Sequence, residues 1–203
     1  MTLELQANSD QRIGVIGQTG MGKTYLMEEL VGSQNIALVI DSKHRVSWKG
    51  FHLTNNPVAA LLEDKVIYRP DTGRPPDDFW REAMLSIHDR GGGVIYIDEL
   101  SVICTANKVP SGLADVFRIG RELGVGVWWA AQESTAIHNT TMRQSDQLIL
   151  FYNQGASDRD KLVGIVGDMA EATGQLKEYQ FVVFIRGETY DNQAVPVYQA
   201  VAH

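Results

Sequence analysis

Eight residues near the start of the chain, Gly17-Gln18-Thr19-Gly20-Met21-Gly22-Lys23-Thr24, follow the pattern G-x-x-x-x-G-K-[ST]. Each residue type there has a task in holding a polyphosphate. Glycines let the backbone curl until several N–H groups converge on phosphate oxygens. A helix starting at the lysine adds the positive end of its dipole. Lys23 brings a mobile charge to the β- and γ-phosphates, and the Thr24 hydroxyl is a ligand for Mg²⁺. The apolar run Ile13–Ile16 before the pattern and the helix-like stretch Lys23–Val31 after it supply the strand–loop–helix setting such a loop needs. The expected binding site for ATP is the backbone from Gly17 to Tyr25. The bland alternative is a glycine-rich turn that fits by chance.

A second segment, Gly91-Gly92-Gly93-Val94-Ile95-Tyr96-Ile97-Asp98-Glu99, is an apolar strand ending in two acids, as a Walker B segment does. Asp98 would meet Mg²⁺ through the water shell that magnesium keeps. Glu99 is placed to orient an attacking water and take its proton. Strands often end in solvated acids, so the phosphate loop upstream gives this reading its weight. An activated water favours hydrolysis over transfer to a small acceptor. A third segment runs Gly120-Arg121-Glu122-Leu123-Gly124-Val125-Gly126-Val127-Trp128-Trp129-Ala130-Ala131-Gln132. Its strand ends in an amide, Gln132, able to sit beside the γ-phosphate and report its loss. Arg121 precedes the strand at the opposite edge of the sheet, out of reach of its own phosphate loop but within reach of a neighbour's nucleotide in a ring. The plainer readings are a strand-end polar residue for Gln132 and a helix-end cation for Arg121, with Arg118 a rival one turn earlier.

The elements that must position these groups alternate along the chain. Short apolar runs at Ile13–Ile16, Ile36–Ile40, Val66–Tyr68, Val94–Ile97, Val125–Ala131 and Leu148–Tyr152 read as strands. Lys23–Val31, Pro57–Glu63, Asp77–Asp89 and Gly112–Leu123 read as helices, with Gly32, Gly91 and Gly124 where helices would stop. This alternation predicts an α/β domain with a mostly parallel sheet flanked by helices. Phe181–Arg186, GETYDNQ and Ala194–Val201 read as a terminal hairpin. The stretch from Gly155 to Gly174 reads as helical pieces broken by glycine. No repeat or linker divides the chain, so residues 1–203 are expected to form a single domain.

The chain has 203 residues, 18 basic against 25 acidic, for a net charge of −7. A protein that coats nucleic acid non-specifically is usually basic, so this balance argues against that class, while leaving room for a few cations on one loop. No apolar run approaches the roughly 18 residues of a membrane-spanning helix, and the first residues lack the basic start and apolar core of a signal peptide. A single cysteine, Cys104, excludes an internal disulfide framework. A soluble, intracellular protein is expected.

Taken together, GQTGMGKT, VIYIDE and RELGVGVWWAAQ resemble the corresponding segments of the FtsK–HerA superfamily of DNA-pumping ATPases, over roughly Ile13 to Tyr152. Within it, the short chain is most similar to the compact genome-packaging ATPases of membrane-containing double-stranded DNA viruses. The resemblance implies a RecA-like P-loop NTPase fold of the ASCE type with a C-terminal β-hairpin. It also implies ATP and Mg²⁺ as ligands and a homo-oligomeric ring, hexamer or pentamer, around double-stranded DNA. In it Lys23 and Thr24 would bind phosphate and magnesium, Asp98 would organise the metal, Glu99 would activate water, and Gln132 would be the sensor. Arg121 would be the finger acting across a subunit interface. Capsid or viral membrane proteins would be further partners, in the host cytoplasm or at the packaging vertex of the virion. Rival readings are a relative acting in phage extrusion, conjugation or secretion on a protein or membrane partner, a small-molecule kinase, and a nucleotide-binding scaffold without turnover.

For a DNA contact the candidate is Lys108, in the loop Ser101–Ser111 after the two acids. Lys43, His44, Arg45 and Lys49 form a second basic cluster, and a solvated surface is the alternative for both. Trp128 and Trp129 read as packing residues, and Cys104 as a small buried hydrophobe. Arg69 and Arg74 flank a proline-rich turn with two options open, the adenine or a neighbouring subunit.

Overall fold

The computed structural model describes residues 7–188 and 196–200. The apolar run after Gln11 forms β1 (Arg12–Ile16), and the glycine loop leads into α1 (Lys23–Gly32). Next come β2 (Ala37–Ile40), the short β3 (His52–Thr54) and α2 (Pro57–Leu62). The Asn56 side chain caps α2 by accepting from the N–H groups of Val58 and Ala59, and Pro57 sits at the first helical position. β4 (Lys65–Tyr68) is followed by α3 (Asp77–Asp89), which has acids in its first turn and His88 in its last, matching the helix dipole. β5 (Gly93–Ile97) leads into α4 (Leu100–Ile103), α5 (Ser111–Ile119) and a 3₁₀ turn at Gly120–Leu123. β6 (Val125–Ala131), α6 (Asn139–Gln144) and β7 (Gln147–Phe151) complete the parallel part. α7 (Ala156–Val166), α8 (Met169–Ala172), a 3₁₀ turn at Thr173–Gln175, β8 (Gln180–Ile185) and β9 (Tyr198–Gln199) follow.

Among the described residues one sheet runs in the order β3-β4-β2-β5-β6-β1-β7-β8-β9. Its first seven members are parallel to their neighbours, and β7–β8 and β8–β9 are antiparallel. Every residue of β2, β5, β6 and β7 is buried, as expected for strands covered on both faces. The adjacent tryptophans show the pleat. Trp128 joins the core under α1, with Met27 and Val31, whereas Trp129 joins the core under α3, α5 and α7. Trp129 has room because β1 carries Gly14 opposite it, where a Cβ would lie 2.3 Å from the indole. Both rings are fully buried, and their N–H groups donate to Gln11 O and Ser145 Oγ. Cys104 is likewise buried in the core, which pushes its thiol up to about 12.

Several boundaries differ from those expected. The stretch Gly112–Leu123 is an α-helix that tightens into a 3₁₀ turn at Gly120, because the chain must pass close to Val125; a Cβ at Gly120 would lie 2.6 Å from its carbonyl oxygen. The expected loop Ser101–Ser111 begins inside α4 and continues as a tight turn closed by a Thr105–Lys108 bridge. Gly124 stops its helix in the left-handed conformation at φ 69°, and Gly91 follows α3 at φ 101°. Gly32 does not play that part; it is the last residue of α1, and Ser33 after it stays right-handed. The expected terminal hairpin corresponds to β8 and β9, with residues 189–195 and 201 of the expected segments outside the described residues.

Candidate active site at the carboxyl edge of the sheet

Parallel strands present their carboxyl ends along one edge, so the segments leaving β1, β2, β4, β5 and β6 meet there. The register pairs Ile16 with Ala131, Ile97 with Trp129 and Ile40 with Ile97. The phosphate loop and the acids after β5 are therefore one strand apart, with Gln132 on the strand between them. A cleft of about 400 Å³ opens at this edge, lined by Lys23, Thr24, Tyr25, Asp98, Glu99 and Gln132 among others.

The loop hangs on its neighbours. The Gly17 N–H donates to Ala131 O (3.2 Å) and the Gln18 N–H to Tyr152 O (3.1 Å). At Gly17 a Cβ would lie 2.5 Å from that of Phe151. Gly22 sits at φ 102° as the residue before α1, and a Cβ there would lie 2.7 Å from the Tyr179 ring. A side chain at either position would push the loop away from its supports, which fits a backbone that must wrap an anion. Lys23 donates to the carbonyls of Gly17 (2.6 Å) and Gln18 (2.8 Å), so its ammonium lies within the loop. Burial lowers its pKa below the ordinary lysine value, against the opposing pull of Glu99 and Asp98.

The two acids differ in their surroundings. Asp98 accepts from the Tyr96 hydroxyl (3.2 Å), and burial together with the nearby Asp41 charge raises its pKa to about 6. Burial and Asp98 also push the Tyr96 hydroxyl well above its usual value, so it stays a donor. Glu99 has both oxygens engaged. Oε2 accepts from Lys43 at 2.9 Å and Oε1 from the Ser101 hydroxyl at 2.6 Å. Among the described residues no three His, Cys, Asp or Glu side chains form a cage for a metal. Thr24 and Asp98 border one cleft, so an ion there would draw most of its ligands from phosphate and water, which suits magnesium. The electron-rich Asp98 carboxyl, held costly and buried, fits that use.

Lys43 and Tyr179 were not anticipated in the cleft, and neither was Arg45 as part of it. Tyr179 holds a left-handed backbone, φ 62°, rare outside glycine, and its N–H donates to Met21 O (3.2 Å) in the phosphate loop. The basic cluster after β2 does not act as one surface: Lys43 pairs with Glu99, Arg45 lines the cleft, and Lys49 is exposed. Arg69 reaches neither an adenine pocket nor the outside. It donates to Asp41 (2.8 Å) and to Val46 O (2.8 Å). Arg74 lies elsewhere, beside Lys108 and Asp77 in a separate cavity of about 370 Å³. There the Ser111 hydroxyl, the Gly112 N–H and the Lys108 charge hold Asp77 below the usual carboxylate value.

Arg121 sits in the 3₁₀ turn before β6, at the amino edge. It is ion-paired with Asp146, which also accepts the Arg12 N–H (2.8 Å). The seven residues of β6 span about 20 Å between this arginine and Gln132. Arg118 pairs with Asp115 on the exposed face of α5. Neither arginine approaches the phosphate loop of its own chain.

No family model and no curated protein matches the chain. Solved structures do. The genome packaging NTPase B204 from Sulfolobus turreted icosahedral virus 2, in complex with ATP-gammaS, superposes with a TM-score of 0.82 at 19% identity, over 97% of this chain and 100% of that one. The cytoplasmic domain of the Thermomonospora curvata type VII secretion ATPase EccC gives 0.65 at 16% identity, over 98% of this chain and 26% of that one. The pCW3 conjugation coupling protein TcpA gives 0.61 at 13% identity, over 95% and 60%. The chain thus has the RecA-like P-loop NTPase fold that the motif resemblance implied, shared along its whole length with a viral genome packaging NTPase.

Proposed function

We propose that the protein is an ATPase that works as a ring and moves double-stranded DNA, packaging a viral genome into a capsid. The observation that carries the chemical part is the convergence of Lys23, Thr24, Asp98, Glu99 and Gln132 on one cleft, drawn from three separate strands. Support for the load comes from the full-length likeness to a packaging NTPase.

In this reading Glu99 orients a water in line with the γ-phosphorus and takes its proton as the new O–P bond forms. The bond to the bridging β–γ oxygen breaks, and that oxygen leaves with ADP. Mg²⁺ held by Thr24, and through water by Asp98, would neutralise phosphate charge. Lys23 stabilises the charge that develops on the γ-phosphoryl group, and Arg121 of a neighbouring subunit does the same from outside. Gln132 reads the presence of the γ-phosphate. Because α4 starts immediately after Glu99, a shift at the acids is passed to the turn at Thr105–Lys108, where Lys108 meets the DNA backbone. Capsid or viral membrane proteins complete the assembly, in the host cytoplasm or at a virion vertex.

The test is ATP hydrolysis by the purified protein over a range of concentrations, with and without duplex DNA, and with Glu99→Gln as reference. Turnover should climb steeply with concentration and again with DNA, and the reference should lose about 10²- to 10⁴-fold. Hydrolysis indifferent to both protein concentration and DNA would remove the ring and the DNA load together. Concentration dependence without a DNA response would favour the second reading, a motor for a protein load, which the likeness to the EccC and TcpA folds keeps in view.

A further inference from the structure

The chain leaving β2 is built to deliver one ammonium group to Glu99. Asp41, fully buried, accepts from the N–H groups of Arg45 and Val46, each at 2.9 Å, and from the Arg69 guanidinium at 2.8 Å. Arg69 also donates to Val46 O, so the turn 42–46 is tied at its start and its end and fastened to the end of β4. Since Ile40 lies opposite Ile97, this turn stands directly beside the acids after β5. Lys43 projects from it onto Glu99 across 56 positions of sequence.

A carboxylate in this position has little left to offer a water. One oxygen faces an ammonium at 2.9 Å and the other a hydroxyl at 2.6 Å, and the side chain is only 5% exposed. A contact cation lowers the carboxylate's tendency to accept a proton, and in a site with little water the effect is stronger than at a surface. Lys43 itself is 30% exposed, so it can leave while Glu99 stays where it is.

We propose that Lys43 is a positioning residue that restrains Glu99. Its ion pair fixes the carboxylate between turnovers and holds hydrolysis back, and movement of the turn 42–46 away from β5 releases the base. Regulation of turnover then lies at the β2–β5 junction, apart from the phosphate loop. The proposal rests on Glu99 being the base.

Steady-state ATP hydrolysis without DNA tests it, on the full chain at saturating Mg²⁺ and ATP. Lys43→Met keeps the aliphatic stem and removes the charge; kcat should rise about fivefold while KM for ATP stays within about twofold. Lys43→Gln keeps a donor and should give a smaller rise. Lys43→Arg restores the charge and should bring the rate back towards that of the parental chain. A role confined to folding would move thermal stability without this ordered ladder in kcat. If kcat is unchanged or lower in both the Met and Gln variants while Glu99→Gln is inactive, the restraint is wrong and the base stands. If Glu99→Gln hydrolyses ATP as fast as the parental chain, both ideas fall.

Discussion

At the carboxyl edge of the sheet Asp41, Asp98 and Glu99 are buried and each is held by identified partners. At the amino edge Arg121 and Asp146 form a pair whose side chains are 42% and 21% exposed. Buried carboxylates are expensive to keep charged, and a fold retains them where their charge is used. A half-exposed ion pair gives little stability and is broken at little cost. One edge is therefore committed to its place, and the other holds a cation that can change partners. That asymmetry suits a motor in which each nucleotide is completed by the next subunit.

The strongest challenge to this contrast is Arg121→Ala. If the arginine completes a neighbour's site, turnover should fall about 10³-fold, the scale of an arginine supplied in trans, with little change in nucleotide affinity or melting temperature. Mixing this variant with Glu99→Gln should recover part of the activity, because some interfaces then carry an intact base and an intact arginine. Each variant is inactive alone. No recovery on mixing, with rings still formed, would confine Arg121 to its pair with Asp146.

A smaller effect measures the cost of the committed edge. The Asp98 carboxyl is raised from 3.8 to about 6 in the folded chain. A group raised on folding contributes most to stability below its unfolded value and loses that contribution as pH rises through about 6. Without nucleotide or divalent ion, ionised Asp98 should thus cost the folded state about 2–3 kcal/mol at pH 8. Asp98→Asn should melt higher by about 4–12 °C at pH 8 and at nearly the parental temperature near pH 4, while losing Mg²⁺-dependent hydrolysis. An Asn variant less stable than the parent at pH 8 would show that the charge is well compensated, and the contrast between the edges would weaken.

The committed edge was the more legible of the two in sequence, for a physical reason. A phosphate loop needs its glycines, lysine and threonine within eight consecutive residues, so Gly17–Thr24 announces itself. The acids after β5 and Gln132 after β6 are likewise marked by where apolar runs end. Which runs become neighbours is decided by packing of whole layers, and that leaves no local mark. Lys43 meets Glu99, Arg69 meets Asp41 and Arg121 meets Asp146 only because of the order β4-β2-β5-β6-β1-β7. β3 escaped notice because three residues, His52 to Thr54, are too few to show a period, and α4 because four residues carry no helical stripe. Tyr179 enters the cleft through a left-handed backbone that nothing in its side chain favours.

The smallest effect separates the two arginines before β6. Arg118 bonds Asp115 at 2.7 Å with both side chains well exposed, 69% and 50%, three residues apart on α5. Such a pair is screened by solvent and contributes a few tenths of a kcal/mol. Arg118→Ala should leave the melting temperature within about 2 °C and turnover within about twofold of the parental chain, at every protein concentration. The helix end gives the same answer: Arg118 faces outward one turn before the chain tightens at Gly120, whereas Arg121 lies in that turn, ion-paired with the residue before β7. A large loss of activity in Arg118→Ala, with Arg121→Ala mild, would move the trans cation from the amino edge of the sheet to the outer face of α5. The partner subunit would then have to approach from the helical layer.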